Sequence, residues 1–267
     1  TRPDIATDEG GLWALMDREE TQLRRSPFVL RDRALNDYIQ GIACRLAGEH
    51  CADVRVYLVQ TPLFNASMAP NGMMQVWSGL LLRVENEAQL AAVLGHEIGH
   101  YLARHSIETM RTAKSRLAFA QFVGLIAKVG AAAQLAIIAS LFAYSRDHER
   151  EADRIGLTLM HRAGYDPAEA SKVWGNLLLE IKARPDGANA RPSALFATHP
   201  TEQERLETLK KLAEAQPGGV SNEEAWHDKT RALLLEWLKD EVKRGTHEES
   251  LVLLSRMIKR WPTRAEF

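Results

Sequence analysis

The sequence has little cysteine and no block of like charge, and each absence argues against a class of site. Two cysteines occur among 267 residues, and their spacing matches no zinc knuckle, so a metal site built from thiolates is not expected. Lysine and arginine number 34 against 35 aspartates and glutamates, for a formal net charge of -1. This balance, without a basic patch, argues against nucleic-acid binding.

The two cysteines leave a question of redox chemistry open. Cys44 and Cys51 lie on either side of Gly48, where a helix is predicted to end. They could close a small disulfide loop in an oxidising compartment, or remain reduced thiols. The sequence begins at Thr1 and shows no signal segment, so the compartment has to be inferred indirectly.

Long apolar runs are also scarce, and the one over residues 117–143 is interrupted. It is long enough to span a membrane, but Lys128 lies near its middle and Gly124 and Gly130 break it. A central lysine costs roughly 3 kcal/mol to insert. We therefore expect two shorter helices that form a buried or membrane-surface hairpin, with a membrane anchor as the less favoured alternative.

What the sequence does contain is typical of a folded, mostly helical α+β protein. The apolar fraction is 45% with mixed charges, which excludes a disordered chain. Alternating, β-branched stretches at 54–59 and 73–77 predict a small β-sheet, most simply a hairpin. Helical periodicity and cap residues, among them Asp8, Asp32 and Asn86, predict helices over 8–25, 32–46, 87 to beyond 110, about 144 to a stop at Gly164, Pro167 through Leu178, 200–216, 223–243 and 247–260.

A Pro-Gly-Gly run at 217–219 is the best candidate for a domain boundary. It separates a main domain, residues 1–216, from a C-terminal helical hairpin, residues 222–267. The hairpin resembles one unit of a tetratricopeptide array. Because a single unit shows no repeat, a simple cap on the main domain is the equal alternative.

The most informative motif is His-Glu-Ile-Gly-His at residues 96–100. On a helix, His96 and His100 project from the same face and Glu97 lies beside them. Two neutral imidazoles suit Zn²⁺ and leave coordination positions for a further ligand and a water, whose proton an adjacent carboxylate can accept. The alternative is a chance match on an ordinary helix.

The residues after this motif restrict the class of metal site. A metzincin would have Gly at 103 and His at 106, where this sequence has Ala103 and Ser106, so that class is excluded. His105 is one residue out of register with the metzincin pattern. It is predicted to lie on another face of the helix and to be structural.

A later helix offers carboxylates as the remaining ligand. Glu149 and Asp153 are four residues apart and share one face. Glu149 could bind the metal, and Asp153 could accept a hydrogen bond from the outer nitrogen of a ligating histidine. Glu151 and His148 are competing ligands that point elsewhere than Asp153, and a solvated helix face is the alternative without a site.

Together, the motif at 96–100 and the run Glu-Arg-Glu-Ala-Asp-Arg-Ile-Gly at 149–156 resemble the zinc metallopeptidases related to HtpX and the CaaX prenyl proteases, in particular the periplasmic BepA-like branch. The resemblance covers roughly residues 64–209. It implies a gluzincin metallopeptidase fold with endopeptidase activity. It also implies zinc bound by His96, His100 and Glu149, Glu97 as the catalytic carboxylate, and Asp153 as the aspartate that orients a ligand.

The same resemblance implies roles for residues outside the two motifs. His199 would lie near the metal and occupy its open position in a resting state, with Arg205 nearby, and either side chain, once retracted, could stabilise an oxyanion. The strand at 73–77 resembles an edge strand that holds an extended substrate by backbone pairing. The predicted substrate-binding residues are therefore Met73, Met74, Gln75 and Val76.

The motifs predict a zinc-dependent endopeptidase. The resemblance further implies that it hydrolyses misfolded or misassembled envelope proteins in the bacterial periplasm, with the outer-membrane assembly machinery as a partner. Two alternatives stay open. One is a chaperone-like binding module with a closed or structural zinc site, and the other is an HtpX-like protease anchored through 117–143. Glu97 favours an enzyme, because a purely structural site needs no base that activates water.

Overall fold

A computed structural model of the protein describes residues 2–112, 144–185, 199 and 203–262. Within these ranges the fold is α+β and predominantly helical, which confirms the predicted class. The helices are α1 Asp8–Arg25, α2 Arg33–Ala47, α3 Ser78–Arg83, α4 Glu87–Leu102, α5 His105–Thr112, α6 Arg146–Arg162, α7 Ala168–Lys182, α8 Gln203–Glu214, α9 Glu223–Lys243 and α10 His247–Arg260. A 3₁₀ helix spans Gly48–Asp53, and the strands are β1 Arg55–Val59, β2 Ala66–Met68 and β3 Met73–Trp77.

Side-chain caps explain where several of these helices begin. Asp32 accepts a hydrogen bond from the Leu35 amide and Asn86 from the Gln89 amide, so both predicted caps are confirmed. The cap of α1 is Thr7, one residue before the expected Asp8. No described helix is sufficiently long and apolar to cross a bilayer. The predicted membrane-surface segment 117–143 lies outside the described residues.

The sheet differs from the predicted hairpin. β3 is the central strand, parallel to β1 on one side and antiparallel to β2 on the other. The two stretches predicted from the sequence are therefore parallel neighbours, because the chain between them adds β2 and reverses into β3. The prediction of an edge strand at 73–77 is also wrong, since both edges of β3 are already paired.

The two faces of the sheet belong to different apolar clusters. Met74 and Val76 pack into the main core with α2, α4 and α7. Met73 and Trp77 face the opposite way and pack with Leu12 and Met16 of α1. α4 therefore lies on one side of the sheet and in contact with β2.

The helix that carries the His-Glu-Ile-Gly-His motif is shorter than predicted. It ends at Leu102 instead of continuing past residue 110, because Arg104 adopts a left-handed backbone conformation with φ of 60°. A new helix then starts at His105. This turn redirects His105, with consequences described below.

Helices α4 and α6 cross in unusually close contact. A Cβ atom at Gly99 would lie 2.8 Å from the Ala152 carbonyl oxygen, and one at Gly156 would lie 2.9 Å from the His96 nitrogen. Such contacts are too short for a side chain, so glycine at these positions allows the two backbones to approach. The crossing brings the acidic face of α6 to the histidine face of α4.

The C-terminal hairpin of α9 and α10 packs against the rest of the chain. Trp226, Trp237, Leu253 and Met257 belong to the main apolar core. Buried Arg83 of α3 forms ion pairs with Glu180 of α7 and Glu241 of α9, at 2.6 Å and 2.8 Å. The division into residues 1–216 and 222–267 stays a prediction. At the end of α2, Cys44 and Cys51 form a disulfide.

Candidate metal centre

Four side chains from three parts of the chain converge at the α4–α6 crossing. His96 and His100 come from α4, Glu149 from α6 and His199 from the segment before α8. One donor atom of each lies within 4.8 Å of all the others, and all four residues are buried. The sequence prediction that Glu149, instead of Glu151 or His148, joins the histidines agrees with this placement.

The spacing of these donor atoms fits Zn²⁺. His96 Nε2 lies 3.1 Å from His100 Nε2 and 3.2 Å from His199 Nδ1. Glu149 Oε1 lies 2.9 Å from His199 Nδ1 and 3.3 Å from His100 Nε2. Tetrahedral zinc with nitrogen and oxygen ligands at 2.0–2.1 Å places its ligand atoms about 3.3 Å apart.

The outer nitrogen of His96 is held by charged groups. His96 Nδ1 lies 2.9 Å from Asp153 Oδ1. Arg205 donates to both Asp153 oxygens at 2.7 Å and lies 2.8 Å from Glu149 Oε2. Its guanidinium also packs over the Trp174 ring, 4.4 Å from the centroid. Arg205 is thus near the ligands, as predicted, and here it is engaged by the two carboxylates.

These charges shift the titration of the site residues. Burial alone would raise the pKa of Asp153, but the adjacent Arg205 and His96 hold it below its ordinary value. Burial and Arg205 act to lower the pKa of His96, yet the carboxylates of Glu149 and Asp153 raise it to about 9. The two carboxylates therefore favour the protonated form of His96, against the opposing effects of burial and Arg205.

The outer nitrogen of His100 has different partners. Its Nδ1 lies 2.9 Å from Nδ1 of His105, whose Nε2 lies 3.3 Å from Glu151 Oε2. Tyr144 stacks on the His100 ring, with centroids 3.8 Å apart and planes inclined by 16°. Burial lowers the pKa of His100 well below its ordinary value. This side of the site is close to neutral.

Sequence reasoning missed His105 and Tyr144 as parts of the site. On a continuous helix, a residue five positions after His100 points away from it, so the expectation that His105 is merely structural followed from the predicted long helix. The break at Arg104 overturns that premise. Tyr144 carries no motif at all, and only the tertiary contact with His100 identifies it.

Glu97 lies next to the four donor atoms without joining them. Its side chain is buried, which raises the pKa of its carboxyl group. Glu97 Oε1 lies 3.5 Å from His199 Nε2, while Nδ1 of the same ring lies beside His96 and Glu149. In this arrangement, a water that Glu97 could activate and the His199 ring would compete for the same space.

The strand that carries the predicted substrate-binding residues has no unpaired edge with which it could hold a substrate beside this centre. Met73, Met74, Gln75 and Val76 are all buried in the central strand. Their backbone groups serve the neighbouring strands β1 and β2. Within the part of the chain that the structure describes, β2 pairs with no strand other than β3.

Known proteins are similar in sequence to more than half of this chain. It is 28% identical over 258 residues to the beta-barrel assembly-enhancing protease of Escherichia coli K12, covering 87% of this chain and 52% of that protein. It is 33% identical over 171 residues to the mitochondrial metalloendopeptidase OMA1 of Schizosaccharomyces pombe, covering 60% of this chain and 47% of the relative. The chain thus spans about half the length of these curated relatives.

The sequence profile of Peptidase family M48 matches residues 29–213. This match covers more than half of the chain and contains α4, α6 and His199, which together supply every donor atom described above. On this evidence the chain belongs to peptidase family M48.

Proposed function

We propose that this chain is a zinc-dependent endopeptidase. The observation that carries the proposal is the cluster of His96, His100, Glu149 and His199, whose donor atoms have the spacing of zinc ligands, with the buried carboxylate of Glu97 beside them. A structural zinc site has no use for a carboxylate that is adjacent to the ligands and does not bind. Membership of a peptidase family supports the same reading.

The roles of the residues follow from their positions. Zinc, when held by His96, His100 and Glu149, would polarise the scissile carbonyl and lower the pKa of the attacking water. Glu97 accepts the proton of that water as its oxygen bonds to the carbonyl carbon. Glu97 then passes the proton to the amine that leaves as the C–N bond breaks. Asp153 holds His96 with its Nε2 directed at the metal.

The position of His199 supports a proposed resting state in which its ring occupies the open position of the metal. One of its ring nitrogens lies among the ligand atoms and the other lies near Glu97. The ring must retract before a water and a carbonyl can lie between Glu97 and the ligands. A retracted His199 is then available to donate a hydrogen bond to the developing oxyanion.

An extended substrate would pair with β2 and not with β3. Trp77 donates to Asn65 and Ala69 donates to Met73 across the β2–β3 pair. By the alternation of antiparallel pairing, Ser67 faces Gln75, while the amides and carbonyls of Ala66 and Met68 point to the opposite edge. That edge lies on the strand that contacts α4. Ala66 and Met68 are only 1% and 3% exposed, so this edge must be uncovered before a substrate can pair with it.

The substrates we propose are misfolded or misassembled proteins of the bacterial envelope, cleaved in the periplasm near the outer-membrane assembly machinery. The name of the Escherichia coli relative supports a link with β-barrel assembly. The Cys44–Cys51 disulfide supports an oxidising compartment, because disulfides persist in the periplasm and are rare in the cytosol.

Replacement of Glu97 by glutamine tests the reaction. Glu97→Gln keeps the shape of the side chain but removes the base, so casein cleavage should fall roughly 10²–10⁴-fold. Bound zinc, measured by mass spectrometry of the native protein, should stay at the parent level. A Glu97→Gln protein that cleaves casein at the parent rate would contradict the proposal.

The position of His199 also favours the second candidate, a binding module with a permanently closed zinc site. His199→Ala separates the two readings. A resting enzyme should retain zinc through three ligands and still cleave casein, at a rate limited by the loss of the oxyanion donor. A closed module should leave casein intact in both proteins, and that result would favour the binding module over the protease.

A further inference from the structure

A line of three polar side chains leads from His100 to the protein surface. His100 Nδ1 lies 2.9 Å from His105 Nδ1, and His105 Nε2 lies 3.3 Å from Glu151 Oε2. His105 is only 1% exposed, whereas the Glu151 side chain is 47% exposed. The proposed reaction does not use His105 or Glu151.

The direction of each hydrogen bond in this line follows from chemistry. An ionised carboxylate only accepts hydrogen bonds, so Glu151 requires a proton on His105 Nε2. A neutral His105 then carries a lone pair on Nδ1 and accepts a hydrogen bond from His100 Nδ1–H. With its proton on Nδ1, His100 presents the lone pair of Nε2 to the other donor atoms of the cluster. The direction of the hydrogen bond at the surface therefore determines that Nε2 of His100 carries the lone pair.

We propose that His105 and Glu151 are positioning residues, which act through this hydrogen-bonded line to hold His100 in the tautomer and ring orientation that bind zinc. The inference rests on the proposed function. It assigns to His100 an outer partner that differs in kind from the Asp153 carboxylate behind His96.

The surroundings of His105 hold its ring in place for this role. The left-handed turn at Arg104 starts α5 at His105 and directs the side chain back toward α4. The His148 ring stacks on His105, with centroids 4.3 Å apart and planes inclined by 14°. His148 in turn lies 3.4 Å from Glu108 of α5. A histidine fixed on two sides needs no rearrangement to accept the hydrogen bond.

Three substitutions at His105 test the proposal, because each keeps a different part of the line. Asn places an oxygen acceptor near the Nδ1 position and keeps the bond to His100. Gln places an amide near the Nε2 position, keeps the contact with Glu151 and loses the bond to His100. Ala removes both contacts. The measurements are the zinc dissociation constant, from competition with a chelator, and the absorption spectrum of the Co²⁺-substituted protein.

The expected order of zinc affinities among the three variants distinguishes a positioning role from a purely structural one. His105→Ala and His105→Gln should weaken zinc binding about 10- to 100-fold and alter the Co²⁺ spectrum, the usual cost of removing an outer partner of a ligand. His105→Asn should stay within about threefold of the parent. Metal-free His105→Asn and His105→Gln proteins should unfold at similar temperatures. If Asn binds zinc as weakly as Ala, the hydrogen-bonded line is wrong.

Because the Glu151 side chain is 47% exposed, its substitution should leave the apolar core and the fold intact. Glu151→Ala should weaken zinc binding by about fivefold, less than His105→Ala, because the His105 ring remains. Asp147→Asn, at the 88% exposed Asp147 side chain on the same helix, is the matched control and should have no effect. Parent zinc affinity in all His105 and Glu151 variants overturns this inference alone. A parent protein that binds no zinc overturns the proposed function as well.

Discussion

His96 and His100 are the same residue type on the same helix face, yet the two sides of the centre are built differently. Behind His96 lies the buried ion pair of Asp153 and Arg205. Behind His100 lies a neutral histidine, with a carboxylate one step farther out at the surface. The pKa of His96 is raised to about 9, while burial lowers that of His100 well below its ordinary value. Helical spacing sets where the two histidines point, and the neighbouring elements set their basicity.

The largest effect should come from breaking the charged side. Asp153→Ala removes the carboxylate that accepts two hydrogen bonds from buried Arg205 and leaves Glu149 as its one remaining carboxylate partner among the described residues. We expect a loss of about 3–5 kcal/mol in the free energy of unfolding, as for other buried pairs that lose one member. Urea denaturation of the metal-free protein measures it. A loss below about 1 kcal/mol would show that the His96 side is no more tightly built than the His100 side.

The next effect should come from separating the two helices that support both sides. A Cβ at position 156 would lie 2.9 Å from the His96 backbone nitrogen. Gly156→Ala should therefore cost about 1–3 kcal/mol by overpacking, and zinc affinity should fall as Glu149 moves away from the histidines.

Gly41→Ala in α2 is the matched control for this substitution. A Cβ there meets nothing within 4 Å, so alanine should stabilise the helix by up to about 1 kcal/mol. Equal effects of the two substitutions on urea unfolding and on zinc affinity would refute the role of the close crossing.

Glu87 is a buried carboxylate outside the candidate metal centre, and it provides a comparison for the buried Asp153 on the His96 side. Glu87 accepts hydrogen bonds from Tyr38, Arg45 and Tyr165. Burial acts to raise the pKa of Glu87, but these donors lower it overall. A carboxyl whose folded-state pKa is lowered stabilises the protein above its unfolded-state pKa of about 4.3, and this contribution disappears as the pH falls through the folded-state value.

Glu87→Gln tests that comparison. At pH 7 the variant should be less stable by about 1 kcal/mol, the typical difference between hydrogen bonds to a charged and to a neutral acceptor. The deficit should shrink in unfolding experiments below about pH 4. Glu224→Gln, at an exposed position of α9, is the control. A deficit that grows on acidification would contradict the sign of the shift.

The smallest effect is expected on the neutral side. Tyr144→Phe keeps the ring that stacks on His100 and removes the hydroxyl that lies 2.8 Å from Ser106 Oγ. Stability should fall by about 1 kcal/mol or less, with zinc affinity within about twofold of the parent, in the same chelator competition. A tenfold loss of affinity would mean that the hydroxyl, and not the ring, supports His100.

The accuracy of the sequence predictions depended on how local the signal was. Helices α9 and α10 have the predicted bounds of 223–243 and 247–260, and Asp32 and Asn86 cap the expected helices. The neighbours of the strand at 73–77 were predicted wrongly. Its alternation of residues identifies a strand. Strand order depends on the path of the intervening chain, and local periodicity carries no information about that path.

Local periodicity by itself determined that His96 and His100 share a face with Glu97 beside them, and that Glu149 and Asp153 share another face. Both follow from 3.6 residues per turn. Only the tertiary structure decided that the two faces meet, since that depends on backbone approach at Gly95, Gly99 and Gly156. It also decided which partner each histidine receives, because the left-handed residue Arg104 ends α4 and places His105 Nδ1 2.9 Å from His100 Nδ1.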